Sequence, residues 1–175
     1  MELNKESIYK LENVEDIKRF IIGGKAIMTL ESKRTGSWFT YKIKKAKKDD
    51  INSPFFVSVL TGVDNESAYT YMGTIFNNDN KLKFILTKNS KIGEDALSYK
   101  AFNFFFKLLL ENKLHDEIAI YHRGICCVCG RALTTPESLK NGIGPFCSGV
   151  IGNITSNRTL KLQKNNLKVN REQKI

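Results

Sequence analysis

The chain has 175 residues, 41% of them apolar, enough for one buried core and a small appendage. No apolar run reaches the about 18 residues of a membrane helix, and the richest stretch, Phe102 to Leu110, is interrupted by Asn103 and Lys107. The 28 basic and 18 acidic residues leave a formal charge of +10, gathered in two islands: residues 25–48 carry eight positive charges and one negative, and residues 151–175 carry six and one.

In chain order, Asn13 is placed to cap a helix through Val14, Ile17, Phe20 and Ile21, which share one stripe before Gly23-Gly24 ends it. Ala26 to Leu30 reads as a strand, Ser32 to Gly36 as a turn, and Ser37 to Lys44 as a second strand. Side chains alternate on a strand, so Phe39, Tyr41 and Ile43 share one face while Trp38, Thr40, Lys42 and Lys44 share the other. An aromatic ring among lysines suits nucleic acid: bases stack on the ring and cations neutralise phosphate. The candidate contacts are Lys33, Arg34, Trp38, Lys42, Lys44, Lys45, Lys47 and Lys48, with Arg131 further on. The alternative is a solvated lysine-rich strand with Trp38 covered by another element.

Phe55 to Leu60 and Tyr69 to Phe76 are further strands, Asn77 to Asn80 is a turn, and Lys81 to Thr87 pairs back as the fifth strand. Short connections favour antiparallel neighbours. A helix from about Ala96 to Asn112 places Phe102, Phe105, Phe106, Leu109 and Leu110 at helical spacing for packing on the sheet, with Phe104 and Leu108 off that stripe. Glu117 to Tyr121 is a last strand leading to His122. The expected fold is therefore α+β: an antiparallel sheet of about five strands on one long helix, with a C-terminal treble-clef-like zinc module. The expected divisions are a sheet domain (1–121), a zinc module (122–152) and a basic, flexible tail (153–175).

The module rests on the pattern H-x3-C-x2-C-x17-C formed by His122, Cys126, Cys129 and Cys147. Zinc takes four borderline-soft ligands in a tetrahedron, and Cys-x2-Cys turns two sulfurs toward one ion. A redox pair normally sits in a βαβ setting absent from this pattern, and a disulfide needs an oxidising compartment. The N-terminus has no secretory pattern, which fits reduced thiols in a cytoplasm. Cys127 or a neighbouring chain is the alternative source of the fourth ligand. With four protein ligands no position is open for catalytic water. Glu137, the one carboxylate between Cys129 and Cys147, fits a helix start in which Thr134 or Thr135 caps and Pro136 begins the first turn. His115, Asp49-Asp50 and Glu94-Asp95 form no acid–base constellation. The sequence therefore reads as that of a non-enzyme.

The segment His122 to Cys147, with Cys-Gly-Arg-x-Leu-Thr at 129–134, Pro136, Ser138 and Gly-Ile-Gly-Pro-x-Cys at 142–147, resembles an uncharacterised zinc-motif family of bacteriophages and prophages. The strand-rich text Lys33 to Tyr41, Phe56 to Gly62 and Tyr69 to Phe76 fits the same resemblance, which extends from about residue 20 to about 150. Cys127 and Val128 depart from the usual polar or small residues between the ligands. The resemblance implies a viral or mobile-element origin, a bacterial host cytoplasm and no transferable activity. The expected function is that of a phage-type accessory protein with a structural zinc ion, binding nucleic acid or a nucleic-acid-containing complex through its basic islands. The alternative is an effector that binds and blocks a host defence enzyme or ribonucleoprotein. Neither reading includes a membrane or a small-molecule substrate.

Overall fold

Asn13 caps the first helix, α1 (Val14–Ile21), by accepting the backbone N–H groups of Glu15 and Asp16 at 2.9 and 3.2 Å. This computed structural model describes residues 9–79 and 81–151. After α1 come β1 (Lys25–Ser32), β2 (Trp38–Lys45), β3 (Phe55–Leu60), β4 (Tyr69–Asn78), β5 (Lys81–Ile85), α2 (Leu97–Leu110), β6 (Ile118–His122) and α3 (Pro136–Asn141). The strands form one sheet in the order β5-β4-β3-β2-β1-β6, with every neighbouring pair antiparallel. The sheet has six strands where about five were expected. The last strand returns to the free edge of β1, where Met28 faces His122 and Ser32 faces Ile118. Asn78 pairs with Lys81 at the β4–β5 connection, and Asp79 takes φ 50°.

Alternation sets the two faces. Ala26, Met28 and Leu30 of β1, Tyr41 and Ile43 of β2, and Phe55, Val57 and Val59 of β3 are all buried. Phe102 of α2 has its ring 4.9 Å from Tyr41 and 4.9 Å from Phe84. The Tyr41 hydroxyl donates to the Ser98 carbonyl at 2.7 Å, and burial pushes the phenol pKa upward. Phe20 of α1 lies 5.9 Å from the ring of His122, which pairs with Met28 on the same buried face. Full burial of such side chains stabilises by about 1.5–3 kcal/mol each.

The other face carries Lys25, Ile27, Thr29 and Glu31 of β1, Trp38, Thr40, Lys42 and Lys44 of β2, and Phe56, Ser58 and Leu60 of β3. The β3–β4 connection reaches this face: the Glu66 carbonyl accepts from Lys42 Nζ at 2.8 Å, and the Glu66 carboxylate pairs with Arg123 at 2.7 Å.

The chain divides into two compact units, Met1–Ile143 and Gly144–Ile175. In the second, residues 145–151 are helical and the Ser148 N–H donates to the Gly144 carbonyl at 2.9 Å. The basic tail expected at 153–175 lies outside the described residues. No helix among the described residues is long and apolar enough to cross a membrane.

Candidate metal centre

The knuckle is a short hairpin. The Cys126 N–H donates to the Arg131 carbonyl at 2.8 Å, the Gly130 N–H returns to the Cys126 carbonyl at 2.9 Å, and Ile125 bridges Ala132. Gly130 takes φ 79°, the left-handed conformation that the turn requires and that glycine adopts without a Cβ penalty. The sulfurs of Cys126, Cys129 and Cys147 all lie within 4.8 Å of one another, with Cys126 and Cys147 buried and Cys129 exposed. A tetrahedral ion bound at about 2.3 Å from each sulfur would hold them about 3.8 Å apart, within that limit. The donor set therefore fits a thiophilic metal ion.

His122 is engaged otherwise. Its Nδ1 accepts the Gly124 N–H at 3.0 Å and its Nε2 donates to the Leu139 carbonyl at 2.5 Å. Those bonds describe a neutral imidazole with both nitrogens committed, and the sulfur cluster does not include it. Burial holds its pKa below the ordinary histidine value, against an opposite pull from the Leu139 carbonyl. The ring instead joins the end of β6 to the knuckle and to α3. Thr135 caps α3 through a box with Ser138: the Thr135 Oγ1 accepts the Ser138 N–H, and the Ser138 Oγ accepts the Thr135 N–H, each at 3.3 Å.

Cys127 is fully buried and is not part of the cluster. A Cβ on Gly23 would sit 2.4 Å from its sulfur and 2.8 Å from its carbonyl oxygen, so the end of α1 presses directly on the knuckle. The Cys127 carbonyl also accepts the Lys25 N–H at 2.7 Å, and its N–H donates to Gly142 at 3.2 Å. One residue thus ties the knuckle to α1, β1 and the end of α3.

The basic residues fall at different places. Lys33, Arg34, Lys44, Lys47, Lys48 and Arg131 are exposed, as is Trp38 at 60%. Lys33 Nζ donates to the Asp116 carbonyl at 2.7 Å, and Lys42 Nζ stands 4.1 Å above the Tyr69 ring. Lys45 Nζ reaches the Lys48 carbonyl at 3.5 Å. The ion pairs among the described residues are Lys10–Glu12, Lys18–Glu15, Lys113–Glu111 and Arg123–Glu66, so none of the predicted contact cations is neutralised by one. Sequence reasoning missed Phe56 and Lys25 on the same face. The alternation of β3 holds the signal for Phe56: with Phe55, Val57 and Val59 inward, Phe56 must point out.

Residues 119–152 match the model of a family of unknown function (DUF6011). No curated protein and no solved structure matches the chain. The family match spans most of the last strand and the cysteine segment, leaves the rest of the sheet outside it, and names neither an activity nor a source.

Proposed function

We propose that this protein binds nucleic acid through the outer face of its sheet, and that a structural zinc ion on Cys126, Cys129 and Cys147 fastens the knuckle beside that face. The observation supporting the first half is the set of cations around β2 that make no ion pair among the described residues, with an exposed Trp38 among them. Such a surface attracts phosphate and releases condensed counterions. Zinc, when bound, would supply a cross-link and folding free energy to a module with little core of its own, Leu133 and Ile143 being its buried aliphatics. The setting as a phage-type accessory protein in a bacterial cytoplasm rests on the sequence resemblance alone.

Binding of the zinc-loaded protein to fluorescent DNA and RNA across a salt series tests this reading. Affinity that falls log-linearly with salt and persists at about 150 mM supports it. Loss of all binding at that salt refutes it.

A second reading, a protein-binding effector, has an observation of its own. A groove of about 530 Å³ runs between α2 and the buried-face residues Leu30 and Phe39, with Leu97 71% and Phe104 50% exposed along it. It is sized for apolar anchor side chains of a protein partner. Under this reading Phe104→Ala abolishes a stoichiometric complex and leaves nucleic-acid binding unchanged.

A further inference from the structure

We infer that the outer sheet face around Phe56 is a single-stranded nucleic-acid site, in which an unpaired base stacks on Phe56 and the adjoining phosphates lie on Lys44 and Lys25. The inference rests on the nucleic-acid reading and specifies its ligand.

The register makes the site. Lys25 pairs with Lys44, Lys44 with Phe56, and Phe56 with Thr74, giving one row across four strands on the face away from the helices. Adjacent strands lie about 4.8 Å apart, so two lysines stand at one and two strand spacings from the ring. Phe56 is 44% exposed, whereas its strand neighbours Phe55 and Val57 are buried. Its ring meets Tyr71 edge-on, with centroids 6.1 Å apart and planes at 84°. Tyr71 is itself held, its hydroxyl hydrogen-bonded to Thr74 Oγ1 at 2.7 Å and Thr87 Oγ1 at 3.0 Å. The stacking ring is thereby braced from the side by a neighbour on the same face before any ligand arrives.

Charge selects an anion. The next row, Ile27, Lys42, Ser58 and Tyr71, adds a third lysine, and neither row contains a carboxylate. Neither Lys25 nor Lys44 makes an ion pair among the described residues. The knuckle borders the same row: a Cβ on Gly130 would meet Lys25 Cδ at 3.8 Å, and exposed Arg131 follows it.

Stacking selects the single strand. In a duplex each base already has neighbours on both faces, whereas an unpaired base offers a free π-face to an aromatic side chain. DNA and RNA single strands share this chemistry and are separated by the arms of the test.

The test is fluorescence anisotropy of the zinc-loaded protein with labelled oligothymidylate, oligouridylate and a hairpin duplex at about 150 mM salt. Single strands are expected to bind at least about tenfold tighter than the duplex. Phe56→Ala is expected to weaken single-strand binding about tenfold or more and to leave duplex binding unchanged, while Phe56→Tyr retains it. Lys44→Gln lowers the salt slope for single strands by about 0.7. In a Trp38→Phe background, a Phe56→Trp variant gives indole fluorescence that single strands quench. Circular dichroism of each variant reports folding. Equal single-strand and duplex affinity with no effect of Phe56→Ala overturns this inference and leaves the broader reading standing. No binding to any probe overturns both.

Discussion

Replacing Gly142 with alanine isolates how tightly α3 and the knuckle are held against α1. Gly142 takes φ 70°, and a Cβ there would lie 2.6 and 2.8 Å from ring carbons of Phe20. Gly36 is a matched control, with the same φ of 70° and nothing within 4 Å of the added carbon. Alanine in left-handed backbone costs about 1–2 kcal/mol at either site. Overpacking against Phe20 adds about 1–3 kcal/mol at Gly142 alone, because Phe20 is itself 1% exposed and its ring has no room to retreat. Gly142→Ala should therefore destabilise by about 2–5 kcal/mol and Gly36→Ala by about 1–2 kcal/mol. Urea unfolding of both zinc-loaded variants measures the difference. Phe20→Leu in the Gly142→Ala background should recover part of the loss, a coupling of about 1 kcal/mol or more. Because the Gly142 carbonyl accepts the Cys127 N–H, metal affinity should fall with stability at Gly142 and not at Gly36. Equal losses in the two variants would show that Phe20 does not pack on the end of α3 and would refute this reasoning.

The cysteines separate by role. Cys126→Ser, Cys129→Ser and Cys147→Ser should each lose bound metal by elemental analysis, whereas Cys127→Ala should keep it and show only a packing loss. In the cobalt-substituted protein the thiolate charge-transfer band should match three sulfurs, and an undiminished band in Cys126→Ser would reject the cluster. His122 is neutral and buried, with its pKa depressed in the folded state, so it contributes stability that is full above the unfolded value of about 6.5 and declines as pH falls through the folded one. His122→Gln, which can keep the bond to Leu139, should flatten that acid-side slope relative to wild type, and an unchanged slope in urea titrations between pH 5 and 8 would assign it elsewhere. Metal removal by a chelator should reduce single-strand binding, measured by the same anisotropy assay, and restoring zinc should recover it. Full binding by the metal-free protein would detach the centre from the sheet site.

Local chemistry was legible in the chain and long-range pairing was not. Asn13 before an apolar stripe, the alternation of Tyr41 and Ile43 with Trp38 and Lys42, and the Thr-Pro start of α3 all act within a few residues, and each appears where the pattern puts it. The cap partner in α3 is Ser138, although the sequence drew attention to the neighbouring Glu137 for its charge. The sixth strand of the sheet depends on residues about ninety positions apart, Leu30 and Ile120, finding one register. No local propensity encodes that contact. The role of His122 was hidden for a related reason: ligand spacing says where an imidazole falls in the chain, not which carbonyl waits for it. Leu139 supplies that carbonyl, and only the fold brings it near. Lys25 entered the outer face unnoticed because its partner Lys44 is set by the β1–β2 register and not by sequence distance.

The position of Cys127 would give a metal on the neighbouring sulfurs a purpose beyond holding its own loop. Its neighbours Cys126 and Cys129 face the cluster, while Cys127 turns its sulfur to Gly23 and its carbonyl to the first amide of β1. The residue whose amide it binds is Lys25, the outermost cation of the row that ends on Phe56. A strand end normally frays, because its last amides have partners on one side only and open at little cost. Here the knuckle supplies the missing acceptor, and a metal on the flanking sulfurs would keep that acceptor in place. The side chain of Lys25 then leaves a fixed backbone instead of a loose one, so less of its freedom remains to be lost when a phosphate binds. On the proposed reading the sulfur cluster and the open sheet face would form one device, in which a bound ion would set the geometry of a charge it never touches.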